Sequence, residues 1–160
     1  SLESHATADL QKDASAASVG SPADPAKNKE KLPYLYYQLG KTAEMTAASE
    51  KAAAYYEKGL SFPLDASLAY VEDMVIRYGS CLLLAGRLTD ALGVSALKED
   101  FSQSADYAYL LGMIYQRNAM YADAVKEYAR AMRLPAGRLA GVNDALPRER
   151  LAEIERALRS

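Results

Sequence analysis

Residues 105 to 135, ADYAYLLGMIYQRNAMYADAVKEYARAMRLP, carry small and apolar residues at the spacing of two amphipathic helices joined by a short turn. Leu111, Gly112 and Tyr115 belong to the first helix, Ala119 to the turn, and Tyr121, Ala124, Tyr128 and Ala131 to the second. Pro135 cannot continue that helix and turns the chain out. Two antiparallel helices approach closely only where small residues stand at their crossing, and Gly112 and Ala124 supply the gap. Leu111, Tyr115, Tyr121 and Tyr128 fill the space around it, while Ala131 opens a seat for a following helix. Such a hairpin leaves apolar surface uncovered unless a neighbour packs on it.

The neighbours are legible upstream. Leu39-Gly40, Ala52, Tyr56 and Pro63 repeat the offsets of Leu111-Gly112, Ala124, Tyr128 and Pro135. Tyr78-Gly79, Leu82, Gly86, Leu88 and Ala91 make a third copy between them. Gly40 to Gly79 spans 39 residues and Gly79 to Gly112 spans 33. The longer interval places its extra residues in FPLDASLAY, after Pro63. The next helix is expected to start near Ser67, capped by Ser67 or Asp65, and to bury Tyr70, Met74, Tyr78 and Leu82 on one face. The first copy has no turn glycine, reading Met45-Thr46-Ala47-Ala48-Ser49, and no aromatic at Ser49. The second has Ser95 in place of Tyr56 and Tyr128, and no closing proline. Drift of this kind is tolerated where each repeat shares its core with the next.

In residue pattern and period the three copies resemble the tetratricopeptide repeat, whose unit is about 34 residues. The expected fold is therefore all-α: a helical solenoid of three helix–turn–helix repeats, at about 32–65, 66–101 and 104–135, followed by a loop and a C-terminal capping helix over 136–160. Residues 1–31 are rich in Ala, Ser, Lys and Asp, are interrupted by Pro22 and Pro25, and read as a flexible arm. A short helix over Thr7 to Ala17 would be marginal on its own. In the tail, Pro147 suits a first helical turn. Leu151, Ile154, Ala157 and Leu158 form a narrow apolar stripe there. Arg148, Glu149, Arg150, Glu153, Glu155 and Arg156 cover the remaining surface, as expected for the polar outer side of a terminal cap.

Several function classes are disfavoured by what the chain contains. Its 160 residues carry a net charge of −2. The C-terminal arginines and lysines are interleaved with acids as a solvated mixed-charge face, so no nucleic-acid partner is expected. No apolar run is long enough for a membrane span. SLESHATADL has neither a basic n-region nor an apolar stretch, so a cytoplasmic location is the expectation. One cysteine, Cys81, sits in an apolar run and reads as a small buried residue. The single histidine, His5, lies in the arm, which leaves no paired-histidine metal motif and argues against a Ser-His-Asp triad. Glu72 and Asp73 read as the solvated face of a helix rather than as an acid–base pair. No glycine-rich phosphate loop occurs. Neither catalytic residues nor a cofactor or metal site is expected.

LPYLYYQLGK, YYEKGLSFPLD, YVEDMVIRYG, SADYAYLLGMIY and AGVN together resemble the repeat region that follows the catalytic domain of bacterial family 2 glycosyltransferases, over about residues 32 to 143. The resemblance ends after Asn143, where that family begins another, aromatic-rich repeat and this chain has Pro147 and an arginine-rich helix. It implies an accessory region acting in cis or in trans with a glycosyltransferase domain. The Asp-x-Asp pattern by which such transferases hold a nucleotide-sugar and a metal does not occur here.

In a repeat stack of this kind the first helix of each pair lines the inner wall. With the glycines as register, the inward set is Tyr34, Tyr37, Lys41, Glu44, Ile76, Ser80, Leu83, Tyr109, Met113, Gln116 and Arg117. Aromatic anchors, a pliant methionine and a few charges suit a peptide or partner protein laid in a groove. Tyr34, Tyr37, Lys41, Ile76, Ser80, Tyr109, Met113, Gln116 and Arg117 are the binding candidates. Ile76, Leu83 and Met113 could equally pack against a neighbouring helix. Lys41 and Arg117 would fit a clamp for a C-terminal carboxylate, but Ser80 and Met113 stand where asparagines would be needed. The expected role is a non-catalytic interaction module, with weak self-association near Tyr34 to Tyr37 as a further possibility.

Overall fold

The computed structural model describes residues 25–135 and 145–160, with side chains from residue 31 onward. Among them are seven α-helices, one 3-10 helix and no strand. The chain divides into two compact units, Ser1–Leu64 and Asp65–Ser160.

The first unit holds α1 (Pro25–Met45) and α2 (Ser49–Leu60). Helix α1 begins inside the stretch expected to be an arm and carries Pro33 within it, where a backbone hydrogen bond is lost. The remainder of that arm, with His5 and the marginal helix over Thr7 to Ala17, lies outside the described residues. The α1–α2 pair closes around Tyr56, which is fully buried. A Cβ on Gly40 would lie 2.6 Å from Cδ1 and Cζ of that ring, so only glycine leaves room for it. The Tyr56 hydroxyl donates to Glu44, one helical turn beyond Gly40. Beyond α2 the chain folds back, stacking Phe62 on Tyr36 at 6.2 Å.

The second unit contains α3 (Ala69–Leu84), α4 (Leu88–Ala91), a 3-10 helix (Leu92–Leu97), α5 (Ala105–Arg117), α6 (Tyr121–Arg133) and α7 (Ala145–Arg159). Helix α3 starts two residues after Ser67, and neither Ser67 nor Asp65 caps it. Its N-cap is Leu68, without a side-chain bond. Asp65 instead accepts from the Ser67 amide at 2.9 Å and hydroxyl at 2.6 Å, closing a turn ahead of the helix. Met74 and Leu82 are fully buried, and Tyr70 and Tyr78 are half-buried. Cys81 is buried as well.

The second pair is the irregular one. Ser95 occupies the position of the buried tyrosines, and its hydroxyl donates to the carbonyl of Leu92 at 2.7 Å. With no ring to pack, the second helix shrinks to one turn of α4 and the 3-10 segment. The seat beside Gly79 is filled from α5 by Leu110, whose methyl lies 2.8 Å from where a Cβ would be. Buried Tyr107 secures the irregular stretch by donating to the carbonyl of Val94 at 2.6 Å and packing on Phe101 at 5.3 Å. Burial pushes the Tyr107 hydroxyl far above the ordinary tyrosine range, so it stays a neutral donor.

Glu72 and Asp73 are buried, contrary to a solvated-face reading. Glu72 accepts from the Ser104 hydroxyl at 2.6 Å, while Ser104 Oγ caps α5 by accepting from the Tyr107 amide at 3.0 Å. Asp73 pairs with Arg77 one turn later on α3, at 2.7 Å. Another buried acid, Glu127 on α6, holds Lys98 at 2.6 Å and Arg130 at 2.7 Å. Arg130 also donates to the carbonyl of Ser102 at 2.9 Å, so one carboxylate ties the 98–104 connection to α6.

Three turns share one backbone feature. Ala47, Gly86 and Ala119 all have positive φ, at 57°, 77° and 58°. Each stands seven positions after its pair's glycine: 40 to 47, 79 to 86, and 112 to 119. The architecture is thus helical and repeat-like, and the same left-handed residue redirects the chain in all three copies.

Candidate functional site

The buried Gly112–Tyr128 pair and its surroundings underlie a surface feature of the second unit. Tyr128 is fully buried on α6, and its ring would collide with a Cβ on Gly112, 2.9 Å from Cζ. Tyr109 packs on it at 5.7 Å with the rings tilted by 46°. Both belong to a cluster with Ala108, Ala124, Ala131 and Ile154. Ile154 comes from α7, so the seat expected beside Ala131 is taken by that helix. Pro147 is buried in the first turn of α7, and Leu151 packs on the cluster. Ala157 and Leu158 are exposed, so only half of the expected apolar stripe is used.

Above this cluster runs a chain of polar contacts. The Tyr128 hydroxyl donates to Gln116 Oε1 at 2.6 Å, and Gln116 Nε2 donates to Glu153 Oε2 at 3.1 Å. Arg150 Nη1 donates to both Glu153 oxygens, at 3.0 and 3.1 Å, and Arg150 Nε donates to the Tyr109 hydroxyl at 3.2 Å. Tyr128 is pushed well above the ordinary tyrosine range, chiefly by burial, and remains a neutral donor. Burial opposes ionisation of Glu153, but hydrogen bonds from Arg150 and Gln116 and the charges of Arg150 and Arg156 outweigh it. Its carboxyl is held below the usual range. Bonds to Tyr109 and Glu153 likewise favour the protonated Arg150 guanidinium.

A pocket of about 130 Å³ opens at the end of this chain, lined by Leu83, Met113, Gln116, Arg117, Arg150 and Glu153. Four of these six come from the inward set read in the sequence, and three of them, Met113, Gln116 and Arg117, were binding candidates. Tyr109, a fourth candidate of this unit, is a core residue whose hydroxyl serves α7. Ile76 and Ser80 are half-buried on α3 and do not line the pocket. In the first unit, Tyr34, Tyr37 and Lys41 run along α1. Tyr34 is 46 % exposed and its ring lies 5.9 Å from that of buried Tyr37. The Lys41 ammonium lies 4.6 Å above the Tyr37 ring.

Arg150 and Glu153 were assigned to the outer face of the cap and turn out to line the pocket. The available signal was that Arg150 lies one turn before Ile154, on the same helix face, and three residues before Glu153, with which it can pair. No group of three or more His, Cys, Asp or Glu that could hold a metal occurs among the described residues. No helix among them is long and apolar enough to cross a membrane. No protein-family model matches the chain, and no curated protein matches it.

Proposed function

We propose that the chain is a tetratricopeptide-type stack that serves as a non-catalytic interaction module, holding a peptide segment or a partner protein on the first-helix side of its repeats. The recurring left-handed turn at Ala47, Gly86 and Ala119 carries this reading, because it makes the three helix pairs copies of one unit. Stacked copies of a two-helix unit present their first helices as a continuous recognition surface. Buried Tyr56, Tyr107 and Tyr128 each serve packing and donate a hydrogen bond, and buried Glu127 ties down a connection. Each unit has its own exposed first-helix residue to offer a partner: Tyr34 in the first, and Arg117 beside the mouth of the pocket in the second.

Affinity capture with the full chain tests the reading, beside Tyr34→Ala and Arg117→Ala, two exposed positions whose loss leaves the core intact. A partner recovered by the wild type and lost with either variant, at unchanged thermal stability, supports it. Equal recovery by all three proteins rejects it. The glycosyltransferase setting concerns who the partner is. It gains if the captured partner, or the reading frame next to this one, contains an α/β domain with an Asp-x-Asp pattern.

A further inference from the structure

The pocket at Leu83, Met113 and Arg117 has an unequal polar inventory. Arg117 is exposed at its rim, and its side chain makes no hydrogen bond or ion pair among the described residues. Arg150 commits Nε to Tyr109 and Nη1 to Glu153, which leaves the two N–H groups of Nη2. Gln116 spends one amide hydrogen on Glu153 and keeps the other. Facing these donors stands one acid, Glu153, already engaged by three hydrogen bonds from Arg150 and Gln116. Two arginines against one glutamate leave a net charge of +1 around the opening. Leu83 and Met113 supply an apolar wall, and the volume of about 130 Å³ suits one side chain rather than a cofactor.

We infer that this pocket receives the side-chain carboxylate of an acidic residue, Glu in preference to Asp, in an extended segment of a protein partner. The methylenes of a glutamate would lie against Leu83 and Met113 while its carboxylate meets the free Arg117 fork and Arg150 Nη2. Planar two-pronged pairing of guanidinium with carboxylate gives such a contact direction as well as strength. The site differs from a clamp for a chain terminus because the C-terminal helix α7 supplies one of its two cations. The inference rests on the interaction-module reading and names the chemistry of what is held.

The test uses the full chain with labelled arginine side chains. It is titrated at constant ionic strength with the capped tripeptide acetyl-Ala-Glu-Ala-amide and, separately, with acetyl-Ala-Gln-Ala-amide, following the Arg Nε–H resonances. The expected result is saturable movement of the Arg117 and Arg150 signals by the Glu peptide. The Gln peptide should bind about tenfold more weakly, and Arg117→Gln should weaken the Glu peptide by about the same factor. Arg117→Lys keeps the charge but loses the fork, and falls between. Equal responses to the two peptides, a response that does not saturate, or full binding by Arg117→Gln overturns the inference. If these fail while partner capture still depends on Arg117, the module reading stands and only the acidic ligand falls. If the peptide binds but capture ignores every variant, the module reading falls instead.

Discussion

Replacing Gly112 by alanine tests the packing argument at a close helix crossing. In an exposed helix interior this change would stabilise by about 1 kcal/mol, because alanine loses less backbone freedom on folding. Here the new Cβ would lie 2.5 Å from Cδ1 and 2.9 Å from Cζ of Tyr128. The ring has nowhere to retreat: it is fully buried, its hydroxyl is bonded to Gln116 at 2.6 Å, and Tyr109 packs on it at 5.7 Å. Overpacking costs about 1–3 kcal/mol, and a ring held at three points belongs at the upper end. After the helix gain, the net loss is about 2 kcal/mol. For a chain of 160 residues, that lowers the melting temperature by about 4–8 °C. Circular dichroism at 222 nm with heat, and urea titration at fixed temperature, measure it. Tyr128→Leu should rescue, so that the double variant is more stable than the sum of the single losses by over about 1 kcal/mol. Gly93→Ala, with open space where its Cβ would go, is the control and should be neutral or slightly stabilising. A rise in stability for Gly112→Ala, or strict additivity with Tyr128→Leu, would refute the reasoning.

The turns make a paired prediction. Gly86→Ala forces a Cβ onto φ of 77° and should cost about 1–2 kcal/mol, whereas Ala119→Gly relieves the same strain at φ of 58° and should gain up to about 1 kcal/mol, both read from urea midpoints. Acid should loosen α7. Because the Glu153 carboxyl is held below its ordinary value of 4.5, the stability it adds is fully present above that value and is lost as pH falls through the lowered one. Thermal stability should fall in that window for the wild type and fall less in Glu153→Gln.

How much of this was legible beforehand divides along a physical line. Positions with one steric solution could be read from spacing: Gly40 with Tyr56, Gly112 with Tyr128, and Ala131 as the seat that Ile154 occupies. Each is a volume match, and volume is written in residue type. The cap of α3 was misread because Asp65 and Ser67 can satisfy each other locally as readily as they can satisfy a helix end. Glu72, Asp73, Arg150 and Glu153 were misplaced for a related reason. A charged side chain is buried or exposed according to its partner, and the partner of Glu72 is Ser104 on another helix.

The second pair carries that point further. Substituting Ser95 for a tyrosine removes the side chain that would wedge two helices apart at a fixed distance, and the second helix collapses into one α turn and a 3-10 run. The left-handed turn at Gly86 survives, and so does the glycine at 79, now filled by Leu110 from α5. Turn geometry and the glycine seat are therefore separable from the tyrosine wedge. The seat accepts an aliphatic side chain from the following helix, so long as Tyr107 reaches back to the carbonyl of Val94 and Glu127 holds Lys98. The irregular helix pair, lacking a buried ring of its own, thus keeps its place through contacts that the following helix pair supplies.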